Sequence, residues 1–121
     1  MIGYSLTLPM GPSINSYYLR TKTGGVRISD KGQIFRAEVH NAVVRSKMPK
    51  LTGRLCVVMR IFPSTKRLQD ISNRIKAAED ALQHAGAFVN DEQIDDLQVT
   101  RGPVVPGGRI EVLIGELPCQ P

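Results

Sequence analysis

The chain has 121 residues, 41% hydrophobic and 22% charged, as expected for one globular domain of about 100–150 residues. This composition excludes a disordered or low-complexity chain, and no apolar run approaches the roughly 18 residues of a membrane span. The formal net charge of +5 hides an asymmetry: residues 1–69 hold 12 Lys+Arg against Asp30 and Glu38, and residues 70–121 hold four against nine acids. A basic body expects a polyanionic partner. Between Ala77 and Thr100 no Lys or Arg occurs, but Glu79, Asp80, Asp91, Glu92, Asp95 and Asp96 do. That cluster would repel the same partner unless a cation, such as a divalent metal, stands between them.

In chain order, Met1 to Leu8 lacks the basic and apolar regions of a secretory signal. Tyr4-Ser5-Leu6-Thr7-Leu8 alternates polar and apolar residues and predicts a strand stopped by Pro9. Pro9 to Gly25, rich in Gly, Pro, Ser and Asn, reads as a long loop of the kind that carries function. Ser29 suits the N-cap of a first helix, with Phe35, Val39, Ala42 and Val43 on one face and an end before Met48-Pro49. Leu55 to Phe62 is apolar except for Arg60 and predicts a central strand buried on both faces.

A basic loop, Ser64-Thr65-Lys66-Arg67, leads to a second helix capped by Asp70 and ended by Gly86, with Ile71, Ile75, Ala78, Leu82 and Ala85 as its buried stripe. Gln93 to Val105 and Arg109 to Leu117 read as two strands of a hairpin turning at Pro106-Gly107-Gly108. The order β-α-β-α-β-β predicts a single α/β (α+β) domain with a mixed sheet and helices packed on it.

Cys56 lies in an apolar run as an inert thiol and Cys119 lies in the C-terminal tail, which argues for a reducing cytoplasm. His40 and His84 lack the partner spacing of a zinc site. On the second helix, Ser72 and Lys76 are neighbours on one face, and Asn73 is one turn from Lys76. If the chain reverses after Gly86, Asp91 returns toward Asp70, and two converging carboxylates with substrate phosphate make a Mg²⁺ site. Asp70 as a simple cap and Asp91-Glu92 as solvated charge fit the same spacing.

The segment Asp70-Ile71-Ser72-Asn73-Arg74-Ile75-Lys76-Ala77-Ala78-Glu79-Asp80-Ala81-Leu82, then Ala85-Gly86 and Asn90-Asp91-Glu92-Gln93, resembles the RusA family of Holliday-junction resolvases. That family's hallmark reads DxDNxxKxxxDAL, then AG and a DDxQ-type element. Leu8-Pro9, Pro12-Ser13, Asn15 and Tyr18 resemble its start, so the likeness covers nearly the whole chain and makes residues 1–121 one resolvase domain. The resemblance implies a homodimeric, Mg²⁺-dependent endonuclease (Mn²⁺ serving in its place) that resolves four-way DNA junctions by paired nicks in recombination and repair. It implies no membrane and no small-molecule cofactor, and a place in the cytoplasm of a bacterium or phage-infected cell.

Carried over, Asp70 and Asp91 are the metal-ligating aspartates and Lys76 the catalytic lysine. Ser72 stands where the family has its second aspartate. Three accounts stay open: a weakened or inactive member that binds junctions without cutting well, a compensating acid (Glu92, Asp95 or Asp80), or an engineered substitution. Lys66, Arg67 and Arg74 are the candidate DNA contacts, with Arg20, Lys22 and Arg27 as further ones. Tyr17 and Tyr18 either stack on unpaired bases or belong to the core. A general RNA-binding domain is disfavoured by 5% aromatics, no Trp and the acidic cluster.

Overall fold

A computed structural model describes residues 3–67 and 70–117, which leaves Cys119 outside the described residues. The first alternation becomes strand β1 (Gly3–Leu8), with Leu6 and Leu8 buried and Ser5 and Thr7 exposed. The segment expected as one long loop contains more order. Helix α1 (Ile14–Tyr17) is a single turn closed on the Ser13 carbonyl, and strand β2 (Tyr18–Arg20) pairs antiparallel with β3 (Val26–Ile28). Full burial of the Tyr17 side chain anchors this segment, which its turn-rich composition concealed.

Helix α2 (Asp30–Ser46) starts as expected, the Gly32 N–H donating to Ser29 Oγ at 3.0 Å. Phe35, Val39 and Val43 are buried, and Lys47 ends the helix in the left-handed conformation (φ 59°) before Met48-Pro49. At Gly32 a Cβ would lie 2.8 Å from the Tyr17 carbonyl oxygen, so only glycine allows α2 this close to the backbone of α1.

Strand β4 (Leu55–Phe62) is central. Its Leu55, Val57, Met59 and Ile61 enter the core, but its second face is only partly covered, with Val58 half-buried and Arg60 exposed. The expectation of burial on both faces is corrected here: the buried residues of α2 and of the second long helix, α3 (Ser72–His84), join the first face of the sheet in one core. Cys56 is buried on the other face, its thiol donating to the Gly115 carbonyl (3.7 Å).

From β4 the chain crosses through α3 to β5 (Ile94–Arg101), which pairs parallel with β4. Strand β6 (Arg109–Glu116) lies antiparallel to both β4 and β1, giving the sheet order β1-β6-β4-β5. The hairpin expected between the last two strands is therefore absent, because β4 separates them. A tight turn does form at Gly107 and Gly108, both at positive φ, but the connection spans the end of β4. Gly102 N–H donates to the Ile61 carbonyl (2.8 Å) and Val105 N–H to the Pro63 carbonyl (2.9 Å). The result is a mixed four-stranded sheet under helices, an α+β domain.

Helix α3 begins at Ser72, with Asp70 one residue outside its first turn. Asp70 Oδ1 still accepts from the Ser72 N–H at 3.0 Å, as a cap does. Ala77, Ala78, Ala81 and Leu82 form the buried centre of α3, with Ile71, Ile75 and Ala85 half-buried at its margins. Gly86 follows the helix at φ 86°. No helix among the described residues is long and apolar enough to cross a membrane.

Candidate active site

Ser72, Lys76, Glu79 and Gln83 recur at four, three and four residues along α3, the spacing of one helical face. That face looks onto the 3-10 turn Asp91–Gln93, which precedes β5. Between them lies a cleft of about 540 Å³ lined by Ser72, Lys76, Glu79, Asp91, Glu92 and Asp95, with Ile75, Ile94 and Leu97. Lys76 Nζ stands 3.7 Å from Asp91 Oδ2 and 3.9 Å from Glu79 Oε1. One ammonium thus bridges two carboxylates, a position in which positive charge is stabilised.

The turn that carries Asp91 is held from three sides. The Asp91 N–H donates to Gln83 Oε1 on α3 (3.1 Å). Gln93, buried, accepts from the N–H groups of Val89 and Asn90 (2.8 Å each) and donates to the Leu51 and Gly53 carbonyls. The Arg54 guanidinium spans the Glu92 carbonyl (2.6 Å), the Glu92 carboxylate and the Asp95 carboxylate (2.5 Å). Its bonds hold the Asp95 carboxyl below the usual carboxylate range.

Of the residues singled out by sequence, the fold brings Ser72, Lys76, Asp91, Glu92 and Asp95 to this cleft, whereas Asp70 and Asp80 are not in its lining. The exposed Asp70 carboxylate accepts from Ser72 twice, from the backbone N–H and from Oγ–H at 2.6 Å. Those bonds lower its pKa, with a smaller contribution from the positive charge of Arg101. Each acid considered as a substitute for the missing aspartate has a cationic partner. Asp80 accepts from Arg36 Nη2 (2.7 Å) and from the Tyr17 hydroxyl, and Glu92 and Asp95 are clasped by Arg54.

Glu79 differs. It is a buried acid of the site, 9% exposed at its side chain, whose partner among the described residues is the Lys76 ammonium at 3.9 Å, and burial raises its pKa.

Tyr17 is a core residue at 0% exposure, its phenol pushed up by burial and by the Asp80 bond. Tyr18 packs edge-on against it at 4.9 Å and is half-buried, and burial raises its phenol pKa, with a further push from the charge of Asp80. Lys66 and Arg67 are exposed in the loop after β4. Arg74 is half-buried and donates to the Gly11 carbonyl (2.6 Å), tying α3 to the Pro9–Ser13 segment. Arg20 and Arg27, on strands β2 and β3, and Lys22, in the turn between them, are exposed. His40 and His84, distant in sequence, line a separate cleft with Arg27 and Arg36.

Residues 9–115 match the family model Endodeoxyribonuclease RusA. The chain belongs to the RusA family. It is 40% identical over 116 residues to the crossover junction endodeoxyribonuclease rusA of Enterobacteria phage HK97, covering 94% of this chain and 95% of that one. The RusA enzymes of Shigella sonnei (strain Ss046) and Escherichia coli (strain K12) are 39% and 38% identical over 117 residues, with the same coverage.

In this RusA-family chain, sequence reasoning missed Glu79, Gln83, Arg54 and the structural role of Gln93. Two of these left a signal. Asn90-x-x-Gln93 is the capping-box spacing that closes the turn, and Gln83 continues the Ser72–Lys76 face.

Proposed function

We propose that this chain is a divalent-metal-dependent endonuclease that, as a homodimer, binds four-way DNA junctions and resolves them by paired symmetric nicks. The observation that carries this reading is the apposition of Lys76 and Asp91 across one cleft, 3.7 Å apart, in a chain related to crossover junction endodeoxyribonucleases. The donor set is hard oxygen: the Asp91 and Glu79 carboxylates and the Ser72 hydroxyl, with Asp70 bonded to Ser72. Among the described residues, no three His, Cys, Asp or Glu side chains converge on one point. Few protein ligands suit Mg²⁺, which keeps several waters and takes substrate phosphate oxygens. When bound, such an ion supplies Lewis-acid polarisation of the scissile phosphate and an acidified water.

The chain's own residues set the rest. Asp91 holds the metal and is fixed by Gln83 and by the Arg54-clasped turn. Lys76, 68% exposed at its side chain, is free to turn toward a phosphate and balance the charge that grows on it. Lys66 and Arg67 contact backbone phosphates, and Arg20, Lys22 and Arg27 offer a second basic edge. Arg74 acts through the Pro9–Ser13 segment that it holds. The setting is the cytoplasm of a bacterial or phage-infected cell.

One observation favours a weaker variant of this reading. Ser72 brings a neutral hydroxyl, donated to Asp70, where an aspartate would bring a further carboxylate. The test is nicking of a labelled four-way junction in Mg²⁺ by the chain and by Ser72→Asp, with linear duplex as control. We expect junction-specific nicking by both; a gain for Ser72→Asp on the order of 10–100-fold at limiting Mg²⁺ marks a site left short of charge, and equal rates mark a compensating acid. Tight binding by both without nicking overturns the nuclease reading.

A further inference from the structure

The cleft holds a carboxylate that neither the sequence motif nor its spacing assigns to the chemistry. Glu79 stands on the same face of α3 as Ser72 and Lys76, one turn beyond Lys76 and two beyond Ser72. Its side chain is nine-tenths buried, yet it accepts no hydrogen bond among the described residues and meets only the Lys76 ammonium, at 3.9 Å. Its carboxylate oxygens open on the cleft and are not sealed from solvent, and a carboxylate largely stripped of water is stabilised by a cation placed there. The neighbouring acids are already satisfied by the protein: Asp80 by Arg36 and Tyr17, Glu92 and Asp95 by Arg54. Asp91 faces the same ammonium from the opposite wall, and its negative charge acts on Glu79 directly. Two carboxylates sharing one side-chain cation across an open cleft form a position that a divalent ion, with twice the charge, occupies more favourably.

We propose that Glu79 is a metal-ligating carboxylate of this site, acting with Asp91 and supplying the negative charge that Ser72 lacks. The proposal rests on the metal-dependent reading above and deepens it. It assigns the compensating acid to the helix face carrying Ser72 and away from the Arg54-clasped acids. Metal entry releases Lys76 from both carboxylates, which leaves its ammonium available to the DNA phosphate.

The test is Mn²⁺ binding to the full chain without DNA, read from the electron paramagnetic resonance signal of the free ion. Glu79→Gln and Asp91→Asn are each expected to weaken Mn²⁺ affinity by about tenfold or more, the range for loss of even an outer-sphere partner. Asp96→Asn, exposed and outside the cleft lining, is expected to leave it within about twofold, and Ser72→Asp added to Glu79→Gln is expected to restore it. Equal affinity for the unmodified chain and Glu79→Gln overturns the assignment. A second measurement needs no variant: substoichiometric Mn²⁺ should broaden the side-chain carboxyl resonances of Glu79 and Asp91 before those of Glu92 and Asp95. Broadening of Asp91 with Glu79 untouched also overturns it. Junction nicking is scored separately: Mn²⁺ bound through Glu79 in a chain that nicks no junction retires the nuclease reading and leaves the ligand assignment standing.

Discussion

Arg54 joins the segment leading into β4 to the turn that carries Asp91. Its bonds hold Asp95 below the usual carboxylate range, and this has a definite sign in pH. Between the folded and unfolded pKa values the unfolded chain binds more protons, so stability rises with pH there. The contribution is present above an unfolded value of about 3.9 and is lost as pH falls through the lower folded value. We therefore expect Arg54→Met to lower the melting temperature at pH 6–7, with the difference from the unmodified chain shrinking as pH drops toward about 3. Thermal melts across that range check this; a difference that grows toward acid contradicts it. The exposure of the pair keeps the effect small.

At the scale of elements, the site depends on how closely α1, α2, α3 and the 3-10 turn are docked. Gln93→Ala strips partners from two N–H groups and two carbonyls, a loss of at least about 2 kcal/mol read from urea midpoints. Gly32→Ala drives a methyl into the Tyr17 carbonyl and should cost about 1–3 kcal/mol by the same measurement. A midpoint unchanged in either variant contradicts the docking described. Much of this architecture was legible in residue pattern. Alternation gave β1, Ser29 gave the start of α2, and an apolar run bounded by Pro63 gave β4 to the residue.

What pattern could not give was pairing between distant segments. A Pro-Gly-Gly turn signals a reversal, but it does not say whether a third strand lies between its arms, as β4 does here. Arg54 reads as one more basic residue until the parallel register of β4 and β5 sets it beside Glu92 and Asp95. Glu79 reads as surface charge until packing buries it. The Ser72–Lys76 half of the site was legible because helical neighbours are local. The return of Asp91 to α3 was legible only as a direction, and it meets the helix at Lys76.

Across the whole molecule, the linear charge division does not persist as two surfaces. Arg36 and Arg54 from the basic part are spent on Asp80, Glu92 and Asp95 from the acidic part. The cation that the acidic cluster requires is, in large part, the protein's own. Exposed basic residues remain for DNA, among them Lys66, Arg67, Arg20, Lys22 and Arg27, and the unclasped acids of the cleft are Glu79 and Asp91. Two such clefts related by a two-fold axis would meet symmetry-related strands of a junction together. The most direct test uses a supercoiled plasmid that extrudes a cruciform, incubated with the chain in Mg²⁺. Paired nicking within one complex converts it to linear product without open circle accumulating first, and Asp91→Asn should slow this by about 10²-fold or more. Open circle as the main product, or full activity in Asp91→Asn, would contradict the account.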